Sequence, residues 1–201
     1  IYEGYKILPY CARCSTPLSN FEANQGYKEV VDNAVTIRFK VVGEENTYIL
    51  AWTTTPWTLP SNMALAAGPD IDYVKVKDGD DFYILAEARL GAYYKKDAMP
   101  EITARCKGKD LLGMRYEPLF PYFLGEKAKG GYLVKGSEYQ QVKEGFDFIA
   151  NGAYRVINAD YVSTEDGTGI VHTAPLFGED DCIAGKANGV PGVCPIDAEC
   201  K

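Results

Sequence analysis

No apolar run in this chain approaches the ~20 residues that cross a bilayer as a helix, which excludes a helical membrane span. The opening Ile1-Tyr2-Glu3-Gly4-Tyr5-Lys6 has neither an initiator Met nor an apolar h-region, and reads as a fragment without a signal peptide. Basic residues are in deficit: 21 Lys and Arg against 28 Asp and Glu give a formal net charge of -7. A free-standing nucleic-acid binder normally shows the opposite balance, although an RNA end delivered by a larger protein remains compatible. Zinc-site spacing is half absent. Cys11-Ala12-Arg13-Cys14 is a C-x-x-C, but Cys106, Cys182, Cys194 and Cys200 form no second one, so reduced, metal-free thiols are expected. With 201 residues, 46% of them hydrophobic, one sizeable domain can hold its own core without a disulfide framework. The nucleophile elbow G-x-S-x-G is missing, as are repeats, linkers and low-complexity tracts.

What is present is mostly strand. Val35, Ile37, Phe39 and Val41 alternate with Thr36, Arg38 and Lys40, the pattern of a half-buried strand. Gly43-Glu44-Glu45-Asn46 turns it into a second strand, 47–53. Tyr73–Lys77 and Phe82–Ala86 flank Asp78-Gly79-Asp80-Asp81, a hairpin signal. Further strands are predicted over 102–107, 132–134, 154–159 and 169–174. Short helices are predicted over 87–96, between Tyr139 and Asn151, and over 179–187, the last closed by Asn188-Gly189. The expected fold is α+β, a β-barrel-like core of short, mostly antiparallel strands with peripheral short helices.

Two stretches carry candidate chemistry. In Ala51–Asn62, four threonines, two tryptophans, two prolines and an asparagine crowd a strand end. Pro56 and Pro60 stop the ladder, and the hydroxyls left free can bond a ligand, a water or the local backbone. Hydroxyls beside aromatic walls suit a small polar ligand with an apolar end. The second stretch, Asp166–Asp181, runs from a tight turn through a strand into a helix. It holds the single histidine, His172, on the strand and Asp180 and Asp181 in the first helical turn. Each has an ordinary structural explanation: a satisfied imidazole on the face shared with Ile170 and Ala174, and acids favoured by the helix dipole.

Taken together the residues carry more than their spacing. Trp52-Thr53-Thr54-Thr55-Pro56-Trp57-Thr58-Leu59-Pro60-Ser61-Asn62, then Gly167–Pro175 and Phe177-Gly178-Glu179-Asp180-Asp181, closely resemble the editing insertion (connective peptide 1) of isoleucyl-tRNA synthetases. Tyr10–Ala23 resembles the eukaryotic cytosolic form, and the match spans nearly the whole chain. Valyl and leucyl editing domains usually carry arginine where this chain has Thr55, and the valyl form typically has lysine in place of His172. The resemblance implies a single editing domain over 1–201, cut from a larger cytoplasmic synthetase.

It also implies an activity and roles. One missing methylene is worth only about 1–3 kcal/mol, so a synthetic site for isoleucine admits valine and a second, hydrolytic site must remove it. The implied partners are the 3'-terminal adenosine of tRNA(Ile) bearing misattached valine, and the remainder of the synthetase; no membrane or DNA is involved. By the resemblance, Asp181 pairs with the substrate ammonium, and the helix first turn is expected to keep it ionised. His172 sizes the pocket without being an obligatory base. Thr53, Thr54 and Thr55 contact the adenosine, the acyl group and the hydrolytic water; Thr54 and Thr55 with Asp181 form the catalytic set. Trp57, Thr58 and Asn62 complete the wall. No cofactor is implied here, ATP and Mg belonging to the parent enzyme elsewhere. Two other classes stay open: a general ester hydrolase using His172 and Asp181 as a dyad, and a non-catalytic module binding an aminoacyl-tRNA end.

Overall fold

The computed structural model describes residues 7–25, 28–31, 33–124, 131–135, 138–142 and 145–197. The opening hexapeptide and Cys200 lie outside them. Strands β1 (Tyr10–Cys11) and β2 (Thr16–Pro17) form a small hairpin before helix α1 (Asn20–Ala23), which Ser19 and Glu22 close with a capping box. Then come β3 (Val35–Lys40), β4 (Thr47–Thr53), a 3-10 turn over Pro56–Ser61 and β5 (Ala64–Ala67). The hairpin of β6 (Asp72–Asp78) and β7 (Asp81–Ala86) is followed by the short α2 (Leu90–Tyr93) and β8 (Glu101–Lys107). Strands β9 (Gly131–Lys135) and β10 (Glu138–Gln141) pair with each other. The chain then passes through β11 (Arg155–Asn158), β12 (Ile170–Thr173), α3 (Glu179–Asn188) and β13 (Gly192–Val193).

The body is an eight-stranded mixed sheet, ordered β11-β5-β12-β4-β7-β6-β8 with β3 on the other edge of β4, curled into a half-barrel. Strand β4 is the fork. Strand β3 pairs antiparallel along its whole length, while its opposite edge is shared: β7 runs parallel beside Thr47–Ile49, and β12 runs parallel beside Trp52. Crevices at the C-terminal ends of parallel strands, where neighbours diverge, are natural ligand positions in open sheets. The core beneath joins Phe39, Ile49, Met63, Leu65, Tyr116, Ile157 and Ile170, all essentially inaccessible to solvent.

Most predicted strands stand where the alternation put them. The 78–81 hairpin closes through Gly79, whose φ of +63° suits the two-residue turn. Helix α3 ends on Gly189 at φ +64°, the left-handed cap. Two expectations are corrected. Residues 87–96 form no single helix but a 3-10 turn over Glu87–Arg89, then α2, because Leu90 alone is buried and Gly91 weakens propagation. The helix expected from Tyr139 to Asn151 is instead β10 followed by turns, residues 143–144 lying outside the described set. Tyr139 is buried and its hydroxyl donates to the Val190 carbonyl, so tertiary contact overrides local propensity.

Candidate functional site

Strands β4 and β5 are joined by residues 54–63, yet they are not neighbours: β12 lies between them, parallel to one and antiparallel to the other. The connection therefore arches over the C-terminal end of β12, where the Met63 N–H donates to the Thr173 carbonyl at 3.0 Å. The prolines that stop the β4 ladder start the arch, Pro56 standing at the first position of its 3-10 turn. Between this arch and the start of α3 lies a cavity of about 320 Å³, the lower end of the range for small-ligand sites. Its walls are Trp52, Thr53, Thr54, Thr55 and Thr58 on one side, Val171 and His172 below, and Phe177, Gly178, Glu179, Asp180 and Asp181 on the other. Among the described residues, three carboxylates and no Lys or Arg line it.

The arch brackets His172. Thr58 Oγ1 lies 2.9 Å from Nε2, and Asn62 Nδ2 lies 2.9 Å from Nδ1. Thr58 Oγ1 also donates to the Thr55 carbonyl at 2.8 Å. Thr55 N–H donates to Thr53 Oγ1 at 3.0 Å, and Thr55 Oγ1 lies 3.3 Å from Thr53 Oγ1 and 3.5 Å from Thr58 Oγ1, so the hydroxyls of Thr53, Thr55 and Thr58 form one connected row along the cavity wall. The imidazole is only 5% exposed, and burial pushes its pKa from 6.5 down to about 4. It is therefore neutral at pH 7. Because the Thr58 hydroxyl gives its proton to a carbonyl, it receives one from Nε2. That polarity is opposite to a nucleophile–base pair, in which the hydroxyl donates to the ring. Asn62, not Asp181, partners the other nitrogen, so the dyad expected of a general hydrolase is absent.

Asp181 sits in the first turn of α3, its Oδ2 accepting the Ala174 N–H at 2.9 Å. The Tyr161 hydroxyl approaches Oδ1 at 3.5 Å, the limit of a hydrogen bond. The carboxyl is ionised at pH 7, but by a narrower margin than a helix first turn alone implies. Burial outweighs the hydrogen bond from Ala174 and pushes the pKa from 3.8 up to about 6. At pH 7 the group is still mostly an anion, but one paying a desolvation cost that an incoming cation would relieve.

Of the predicted residues, the structure brings Thr53, Thr54, Thr55, Thr58, His172 and Asp181 to one cavity. Trp57 is not among its walls: the side chain is 67% exposed on the outside of the arch. Asn62 is buried behind His172 and reaches the cavity only through that ring. Asp180 is exposed at the rim. Sequence reasoning missed Val171 as floor, Phe177 as a wall, and Tyr161 beside the carboxylate, while of the two tryptophans it offered as aromatic walls only Trp52 lines the cavity. It also missed Tyr116, whose hydroxyl donates to Asn62 Oδ1 at 2.7 Å from 54 residues away. No local pattern marks that pairing. Among the described residues no group of three or more His, Cys, Asp or Glu could hold a metal ion, and Cys11, Cys14, Cys106, Cys182 and Cys194 are free.

No family model matches the chain. It is 50% identical to a stretch of the isoleucine–tRNA ligase of Treponema denticola, covering 100% of this chain and 19% of that protein. It is 47% identical to the cytoplasmic isoleucine–tRNA ligase of Saccharomyces cerevisiae, over 94% of this chain and 16% of that one. The chain thus spans less than a fifth of the length of these relatives. Among solved structures, GlLeuRS-CP1 superposes with a TM-score of 0.54 at 17% identity, covering 75% of this chain and 58% of that one. The P. knowlesi cytosolic leucyl-tRNA synthetase editing domain gives 0.50 at 15% identity, over 79% and 63%. At such identities the two structures establish the fold.

Proposed function

Given a likeness to isoleucine–tRNA ligases that runs the length of the chain, we propose that it is their editing domain, one unit over 1–201, which hydrolyses valine misattached to tRNA(Ile). The observation that carries this reading is the cavity itself: a half-buried carboxylate faces a row of threonine hydroxyls, with no positive side chain on the walls among the described residues. Asp181 receives the α-ammonium, and ion pairing draws its pKa back down, so binding recovers the desolvation cost. A neutral His172 serves the same end, since an imidazolium there would repel that ammonium. Thr53, Thr54 and Thr55 hold the terminal adenosine, the acyl group and the attacking water. Catalysis is by orientation and anchoring, with no covalent intermediate. His172 and Val171 limit the space for the side chain, so isoleucine is refused.

The remaining tRNA contacts, and the ATP and Mg used in charging, are assigned to the rest of a cytoplasmic synthetase, and Cys11 and Cys14 are metal-free. The Tyr10–Ala23 segment supports a eukaryotic cytosolic type, while the identities to bacterial and yeast relatives are nearly equal. The test is direct: incubate the chain with valylated and with isoleucylated tRNA(Ile) and compare release. Selective loss of valine is expected, and Asp181→Ala should abolish it. Equal hydrolysis of both, or full activity in the variant, overturns the reading; binding of an aminoacyl-adenosine analogue without turnover would make the domain a non-catalytic module.

A further inference from the structure

The geometry around His172 extends beyond the cavity wall. The Asn62 amide makes three contacts: Nδ2 donates to the Ala64 carbonyl at 2.8 Å, Nδ2 lies 2.9 Å from His172 Nδ1, and Oδ1 accepts the Tyr116 hydroxyl at 2.7 Å. A backbone carbonyl can only accept, so the nitrogen of the amide must face Ala64. The Tyr116 hydroxyl then has an oxygen to donate to. It stays a donor because full burial holds its pKa well above 10. Tyr116 is itself fixed, its ring edge-on to Phe39 at 5.1 Å and to Tyr154 at 6.2 Å, and its N–H bonded to the Tyr154 carbonyl.

We propose that Asn62 is a positioning residue: clamped between the Ala64 carbonyl and the Tyr116 hydroxyl, its amide holds His172 as the neutral Nε2–H tautomer, a hydrogen-bond donor to Thr58 and not a base. A second Nδ1 proton would face the N–H of the amide, donor against donor. The proton order then runs one way, from His172 Nε2 to Thr58 Oγ1 and from that hydroxyl to the Thr55 carbonyl. The ring thereby orients the Thr58 hydroxyl. The titratable groups sharing the cavity with it are Glu179, Asp180 and Asp181 of α3. The tautomer assignment stands on these contacts alone; its consequence for substrate selection rests on the editing reading.

The chain has a single histidine, so one imidazole appears in a nitrogen-15 spectrum and needs no assignment. Long-range nitrogen–proton correlations on the wild-type chain at pH 7 are expected to show a protonated Nε2 and an unprotonated Nδ1. An Nδ1–H tautomer or an imidazolium overturns the proposal without any variant. Asn62→Asp keeps the shape and replaces the donor by an acceptor. It should convert the ring to the Nδ1–H form or the imidazolium; a ring that stays neutral and Nε2-protonated in a folded N62D chain removes Asn62 from the role. In the same variant the ratio of valine to isoleucine release should fall at least tenfold. A switched tautomer with an unchanged ratio would show that the ring's polarity does not serve selection. A wild-type chain with the expected tautomer but no deacylation would sink the editing reading and leave this one standing.

Discussion

Asp181→Asn should make the protein more stable while removing its activity, and the gain should depend on pH in a defined way. In the native state burial raises the carboxyl pKa to about 6 from 3.8. Above pH 6 the wild type carries a charge that the fold disfavours by the whole shift of about two units. At about 1.4 kcal/mol per unit, that is roughly 3 kcal/mol. Asparagine is neutral at every pH, nearly isosteric, and can still accept the Ala174 N–H through its oxygen. Because the folded pKa is raised, the native carboxyl binds more protons than the unfolded one between pH 3.8 and 6. The Asp181 contribution to wild-type stability therefore falls as pH rises through that window. The advantage of D181N is therefore greatest at pH 7 and vanishes near pH 4. A gain of 2–3 kcal/mol corresponds to a rise in Tm of about 4–12 °C for a domain of this size. Urea unfolding of both proteins at pH 4, 5, 6 and 7 measures it. Equal stability at pH 7, or a difference that does not change with pH, would refute the placement of a strained carboxylate in the cavity.

Other outcomes follow from the same geometry. His172→Ala opens space beside Val171 and should raise isoleucine release relative to valine by an order of magnitude; a constant ratio in deacylation assays would remove the ring from the sieve. Thr53→Val, Thr54→Val and Thr55→Val should each weaken binding of a non-hydrolysable valyl-adenosine analogue by about 0.5–1.5 kcal/mol, the worth of one hydrogen bond. Titration calorimetry giving wild-type affinity for all three would misplace the ligand. Gly167→Ala combines a φ of +63° with a Cβ that would lie 2.7 Å from the Trp52 ring. It should cost about 2 kcal/mol or more in stability and quench or shift the Trp52 fluorescence; an unperturbed spectrum would mean that the 163–169 loop does not back the cavity wall.

Local patterns revealed the pieces of this site but not their assembly. The alternation in Val35–Lys40, the Asp-Gly turn at 78–79 and the Asn188-Gly189 stop are interactions among near neighbours, and each appears in the fold. Strand β5 did not announce itself: Ala64, Ala66 and Ala67 are all buried, and a strand enclosed on both faces has no alternation to read. Nor could spacing reveal that β12 enters between β4 and β5, roughly a hundred residues after them. That insertion turns an ordinary Thr-rich loop into an arch over His172. The family resemblance supplied Asn62 as a site residue but placed it on the wall. The raised pKa of Asp181 was not legible for a related reason: the helix dipole can be read in sequence, whereas burial belongs to the fold.

His172 and Asp181 shift in opposite directions for one cause, and their consequences for stability nearly cancel. Between pH 4 and 6 the native state holds an extra proton on Asp181, while the unfolded state holds an extra one on the imidazole, whose folded pKa of about 4 lies below 6.5. A depressed histidine makes stability rise with pH over that window; a raised carboxyl makes it fall. The two slopes, each about 1.4 kcal/mol per pH unit at full titration, oppose one another. The wild type should thus be nearly flat in stability from these two groups between pH 4 and 6. D181N should lose stability as pH drops from 6.5 to 4, and His172→Asn should gain it from 6 to 4. Proton uptake on unfolding at pH 5, measured by calorimetry in buffers of different ionisation enthalpy, separates the three proteins. If both variants match the wild type, the two groups are not buried as described. If they diverge as stated, the site is one in which the same desolvation keeps the ring uncharged and leaves the carboxylate in want of a cation.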